Sequence, residues 1–119
     1  MQSVKPIQIT FRHLTPSREL TELAQRTAEH LLARRSPVIS VRVALELPHR
    51  RHRKGTPVRA SVELGVPGRT LVARARHVDA RAALHEAFDA AARALRSYRG
   101  RRRTARQRDW LPLAASGSI

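Results

Sequence analysis

Apolar and polar residues alternate over "IQITFR", residues 7–12, with Ile7, Ile9 and Phe11 set against Gln8, Thr10 and Arg12. A period of two puts one set on each side of an extended chain, so this segment reads as a strand with one buried face. The period then changes. In "TPSRELTELAQRTAEHLLAR", Leu20, Leu23, Ala24, Thr27, Ala28 and Leu31 recur at the three- and four-residue spacing of a helical stripe. Thr15 or Ser17 can accept a free backbone N–H at its start, Pro16 suits a first turn, and Ser36-Pro37 ends it.

Alternation returns in "VISVRVALEL", where Ile39, Val41, Val43, Leu45 and Leu47 oppose Ser40, Arg42, Ala44 and Glu46, and again in "VRASVEL", residues 58–64. Pro67 and Gly68 supply turn chemistry before a further run, "LVARARH". Asp79 can cap a second helix, "ARAALHEAFDAAARALRSY", with Leu84, Ala87, Phe88, Ala91, Leu95 and Tyr98 on one stripe. The order β-α-β-β-β-α predicts an α+β domain: a two-layer sandwich of a four-stranded sheet with two helices on one face. The other sheet face then shows water Arg12, Arg42, Arg59, Arg74 and Arg76, interrupted by Glu46 and Glu63. After Tyr98 the apolar period disappears, and residues 99–119 read as a basic flexible tail following a domain at 1–98, with Trp110 and Leu111 as a docking or stacking point.

Charge sharpens this picture. The 119 residues hold 24 Lys+Arg against 9 Asp+Glu, a formal net charge of +15. The excess is uneven, with 7 basic and 4 acidic side chains in residues 1–48 and 17 and 5 in residues 49–119. Such a field recruits polyanions, nucleic acid first and anionic lipid second. With no cysteine there is no thiolate metal site or disulfide framework, and no segment has the apolar run of a signal peptide or membrane span, so a cytoplasmic protein without a membrane role is expected.

The densest basic segment joins two predicted strands: "HRRHRK", with His49, Arg50, Arg51, His52, Arg53 and Lys54. A metal held by His49 and His52 is disfavoured, because the pair sits in a loop without a carboxylate and among arginines that repel a cation. A solvated loop is the plainer alternative. Phosphate contact is preferred, since Arg and Lys donors on a hairpin can follow a nucleic-acid backbone. Arg93, Arg96 and Arg99 recur every third residue on the second helix, where they also complement its C-terminal dipole. No nucleophile elbow, phosphate-binding glycine loop, HExxH or paired-carboxylate spacing occurs, so neither an enzyme nor a cofactor or small-molecule substrate is expected.

Four segments in this order resemble one family. "IQITFRHL" is similar to the opening strand and turn of the ribosome hibernation promoting factors, also called ribosome-associated inhibitor A or sigma-54 modulation proteins. "ELPHRRHRKG" resembles the basic hairpin of one proteobacterial subgroup, "VPGRTLVARARH" the third hairpin and fourth strand, and "HEAFDAAARALRSYRGRRR" the last helix and basic end. The resemblance spans roughly residues 6–103 and implies the same β-α-β-β-β-α fold. It also implies a protein that occupies the small ribosomal subunit where mRNA and the A-site and P-site tRNAs sit. Arg93 and Arg96 fall where members place basic side chains, and Asp79 on their acidic residue before the last helix. Ala80 and Arg81 depart from an apolar residue and Tyr, and Thr27 and Ala90 from basic residues. The short form, without a C-terminal dimerisation domain, implies a monomer when free.

The expected function is therefore translation inhibition by binding small-subunit rRNA and blocking mRNA and tRNA under stress. The expected RNA-binding residues are His49, Arg50, Arg51, His52, Arg53, Lys54, Arg81, Arg93, Arg96, Arg99, Arg101, Arg102 and Arg103. A general double-stranded RNA-binding module is the alternative, because α-β-β-β-α is also the order of those domains. Asp79 and Glu86 at the start of the second helix speak against it, since such domains favour a Lys-rich start there.

Overall fold

A computed structural model describes residues 6–33, 36–48 and 56–110, with side chains described through Arg101. The elements are β1 (Ile7–Arg12), α1 (Arg18–Leu31), β2 (Ser40–Glu46), β3 (Val58–Val66), β4 (Arg69–His77) and α2 (Ala80–Trp110). The strands form one sheet in the order β1-β2-β3-β4. β1 and β2 are parallel, a pairing that needs a crossover, which α1 supplies; the other two pairings are antiparallel. Between β3 and β4 the chain reverses at Pro67-Gly68, where Gly68 adopts φ 84°, a conformation that costs glycine little.

The alternating pattern sorts the sheet into two faces. Val41, Val43, Leu45, Ala60, Val62, Leu64, Leu71 and Ala73 are buried against Ala24 and Ala28 of α1 and against Ala83, Leu84, Ala87, Phe88, Ala91, Leu95 and Tyr98 of α2. Both helices therefore lie on one face, in a two-layer α+β arrangement, and the whole predicted stripe of α2 is buried. α1 covers less: its Leu20, Leu23 and Leu31, like Ile7, Ile9 and Phe11 of edge strand β1, are half-buried. No polar or charged residue is buried among the described residues, so the core draws its stability from apolar area.

Local chemistry sets the helix starts. Ser17 is the N-cap of α1: its Oγ accepts from Leu20 N at 3.2 Å. Pro16 consequently precedes the cap instead of entering the first turn. Replacing Ser17 with alanine leaves that N–H without its acceptor and should cost about 1 kcal/mol, with Ser17→Asp close to the parent, readable by thermal unfolding. At α2, Asp79 Oδ1 accepts from Arg81 N at 3.2 Å and its carbonyl from Ala83 N at 2.9 Å.

Three expectations change. The alternation of β2 does not reach back to residue 38: Val38 is buried and Ile39 is 62% exposed. The segment after Pro37 lies outside the strand, so the side-chain phase starts afresh at Ser40. The turn between β3 and β4 is tighter than "GVPGRT" suggested, because the ladder continues to Val66 opposite Arg69. Finally, α2 does not stop at Tyr98 but continues to Trp110. Arg, Ala and Gln are good helix formers, and no proline occurs before Pro112, which disfavours the helical region at the residue ahead of it. Tyr98 is the last buried residue among those described, so it ends the buried stripe without ending the helix.

Candidate nucleic-acid interface

The solvent side of α2 changes sign along its length. Its first turns expose Arg81, His85, Glu86 and Asp89, and later ones expose Arg93, Arg96, Arg99 and Arg101. Those four arginines make no ion pair with a described carboxylate. They occupy the middle of α2, nine or more residues before its end at Trp110, so the C-terminal dipole expected to favour them does not reach them. Tyr98 Oη donates to Pro67 O at 2.9 Å, which ties this part of α2 to the β3–β4 turn. The arginines on either side of Tyr98 thus stand on a helix held against the sheet.

Arg81 has a different environment. Its Nη1 donates to Glu19 Oε2 at 2.6 Å, linking the starts of the two helices, with both side chains more than half exposed. An exposed pair of this kind contributes about 0–1 kcal/mol to stability. Arg81 thus has a carboxylate partner, which Arg93, Arg96, Arg99 and Arg101 do not have among the described residues. Arg81 and Arg99 are also roughly 27 Å apart along the helix axis.

The basic segment between β2 and β3 springs from the opposite end of the domain to Arg93, Arg96 and Arg99. Glu46 pairs with Arg59, and Val58 with His77, just ahead of the start of α2. His49, Arg50, Arg51, His52, Arg53 and Lys54 themselves lie outside the described residues. Arg102 and Arg103 lie on the helical backbone, and their side chains lie outside them too, as does that of Trp110. The fold thus gathers Arg93, Arg96, Arg99 and Arg101 on one solvent-facing stretch and separates them from Arg81.

On the face of the sheet away from the helices, Arg12, Arg42, Arg59, Arg74 and Arg76 are exposed as the alternation predicts. Arg42 is internally matched: its Nε donates to Gln8 Oε1 at 3.2 Å and its Nη1 lies 3.7 Å from Glu63 Oε1. On α1, Arg18 is bonded to Glu22 and Gln25 to Glu29, while the exposed Arg26 makes no ion pair with a described residue. No group of three or more His, Asp or Glu side chains that could hold a metal ion occurs among the described residues. No helix there is long and apolar enough to cross a membrane.

Residues 7–103 match the model of the family described as sigma-54 modulation protein / S30EA ribosomal protein. The chain belongs to that family. The matched span passes Tyr98 and ends at Arg103, so the family's domain includes the first part of the α2 extension. Solved structures of the same fold include a ribosomal subunit interface protein from Coxiella burnetii, at TM-score 0.66 and 18% identity, covering 79% of this chain and 97% of that one. The Protein Y N-terminal domain of Thermus thermophilus superimposes at TM-score 0.63 and 17% identity, covering 80% of this chain and 99% of that one. At such identities these similarities establish the fold. None of the curated proteins matches the chain in sequence.

Proposed function

We propose that this S30EA-family protein is a ribosome hibernation factor of the cytoplasm, which binds rRNA in the mRNA and tRNA channel of the small subunit and blocks both ligands when growth stops. The observation that carries this reading is the run of exposed arginines Arg93, Arg96, Arg99 and Arg101, without described acidic partners, on the long helix of a domain whose family is one of ribosomal proteins. The names of the two structural neighbours, a ribosomal subunit interface protein and Protein Y, point the same way.

The mechanism is occlusion anchored by charge. A domain whose helices and sheet share one continuous core acts as a wedge, and arginine forks on phosphate oxygens hold it without reading bases. Shape selects the site, because folded RNA is recognised chiefly by its surface and backbone. The 49–54 segment, Arg102 and Arg103 add to the positive charge of the chain. A wedge of this kind needs no second copy and no cofactor, so it acts as a monomer.

In a translation extract, excess protein should inhibit initiation, and purified small subunits saturated with it should lose both mRNA and initiator tRNA in a filter-binding assay. Ternary binding of the protein with both ligands would remove occlusion as the mechanism. Sedimentation with free RNA instead of with ribosomes, in starved cells, would favour the general RNA-binding module.

A further inference from the structure

The open face of the sheet is divided into two halves that treat their charges differently. Towards the β3–β4 turn, the cross-strand row Gln8, Arg42, Glu63 and Val72 contains a bonded arginine, a carboxylate and an amide. This is the arrangement expected of charges that serve only the sheet. Towards the other end, the row Arg12, Glu46, Arg59 and Arg76 and its neighbour Thr10, Ala44, Ser61 and Arg74 contain four arginines and a single carboxylate. None of these four arginines is ion-paired to a described residue.

Arg59 stands directly opposite Arg76 in the ladder, and Ser61 opposite Arg74. Like charges facing each other across a strand pair oppose folding, and among the cross-strand neighbours only Glu46, opposite Arg59 on β2, offsets this. Between them is a shallow depression of about 540 Å³, lined by Ala44, Glu46, Arg59, Ser61, Arg74 and Arg76 together with the backbone side of Ala60 and Ala75. Small side chains at Ala44 and Ser61 keep its floor low, and the arginines form its β3–β4 wall. A second depression on the same face, about 270 Å³, includes the matched Arg42 and Glu63 and has no such excess.

We infer that this end of the open sheet face is a second RNA-binding surface, which receives the phosphate backbone of a single RNA strand on Arg59, Arg74 and Arg76, with the Ser61 hydroxyl on its floor. Charge complementarity selects the occupant. An acidic protein surface would meet Glu46, whereas a flexible strand can thread its phosphates along the arginine wall and keep its sugars and bases over the small-residue floor. The surface is on the layer opposite α2, and the protein therefore engages RNA from both sides. This extends the proposed function, whose anchoring arginines are on α2.

The test compares the full-length parent with Arg59→Gln/Arg74→Gln/Arg76→Gln, using a labelled twelve-nucleotide single-stranded RNA and purified small subunits as separate probes. The triple variant should bind the oligonucleotide at least tenfold more weakly at 0.1 M salt, and its salt slope should fall by about 2, since each single-strand phosphate contact contributes roughly 0.7. Amide resonances of Ser61, Arg74 and Arg76 should shift as the parent is titrated with the oligonucleotide. Thermal stability should stay close to that of the parent, because the Arg59–Arg76 repulsion and the Arg59–Glu46 attraction are removed together; Arg-to-Lys replacement at the three positions should restore much of the binding. Parent-like oligonucleotide affinity in the Gln variant overturns the inference, as does a loss of affinity explained by unfolding. Equal competition by inorganic phosphate at matched ionic strength also overturns it, by reducing the surface to a simple anion site. Loss of small-subunit binding in a variant of Arg93, Arg96 and Arg99 but not in the sheet variant would leave the proposed function standing and remove the second surface.

Discussion

Replacing Leu84 with alanine is expected to destabilise the domain by about 2–5 kcal/mol, a large part of the 5–15 kcal/mol typical of a domain this size. Leu84 has no exposed surface and sits in the first half of α2, between Ala83 and Ala87, which are equally buried against the sheet. Its small neighbours let the helix approach β3 and β4 closely, and they cannot extend into the space a truncated side chain leaves. The loss therefore combines the transfer energy of the removed methyl groups with an unfilled cavity. A fall of roughly 8 °C or more in the thermal midpoint is expected. Val72→Ala, a comparable truncation at a position 45% exposed on the open sheet face, should stay within about 0.5 kcal/mol of the parent. Equal effects at the two positions would contradict the assignment of the helix-covered face as the core.

The second large effect concerns binding. Changing Arg93, Arg96 and Arg99 together to glutamine should lower the slope of log affinity against log salt by about 2 to 3 and weaken small-subunit binding by about two orders of magnitude at 0.1 M salt. These positions are exposed and none belongs to the buried set of α2, so the fold should survive the change. Deleting residues 104–119 is the matched control. It removes Arg106, Arg108 and Asp109, and with them the last part of α2, but no described buried side chain, so the salt slope should change little. A salt titration of both variants decides the matter: a flattened slope in the deletion and not in the triple variant would move the anchor to the end of the chain.

Much of this was legible because period two and the helical period are geometric signatures that survive in one dimension. The stripe from Leu84 to Tyr98 is buried to its last member, and the alternation of β1, β3 and β4 sends the expected side chains to each face. Legibility failed where the phase could reset. Val38 and Ile39 exchange roles because the chain ahead of Ser40 is not yet in the strand, and an apolar-residue pattern cannot show where a ladder begins. The end of α2 was missed for a related reason: a helix that leaves the core loses its apolar stripe but keeps its backbone hydrogen bonds and the propensity of arginine and alanine.

The candidate site divides along the same line. That Arg93 and Arg96 face solvent followed from helical spacing, since the apolar stripe claims the opposite side; Arg99, four residues after Leu95, is exposed because α2 leaves the core after Tyr98. That Arg81 is bonded to Glu19, 62 residues away in sequence, did not, because the partner comes from another element. The matching of Arg42 with Glu63 and the confrontation of Arg59 with Arg76 likewise depend on strand register. The order of elements, the side of each that enters the core and the sign of the protein's field are all written in one dimension, because periodicity and charge are properties of the chain. Which arginines are ion-paired and which are not emerges only in three dimensions, because pairing depends on distances of a few ångströms between segments far apart in sequence.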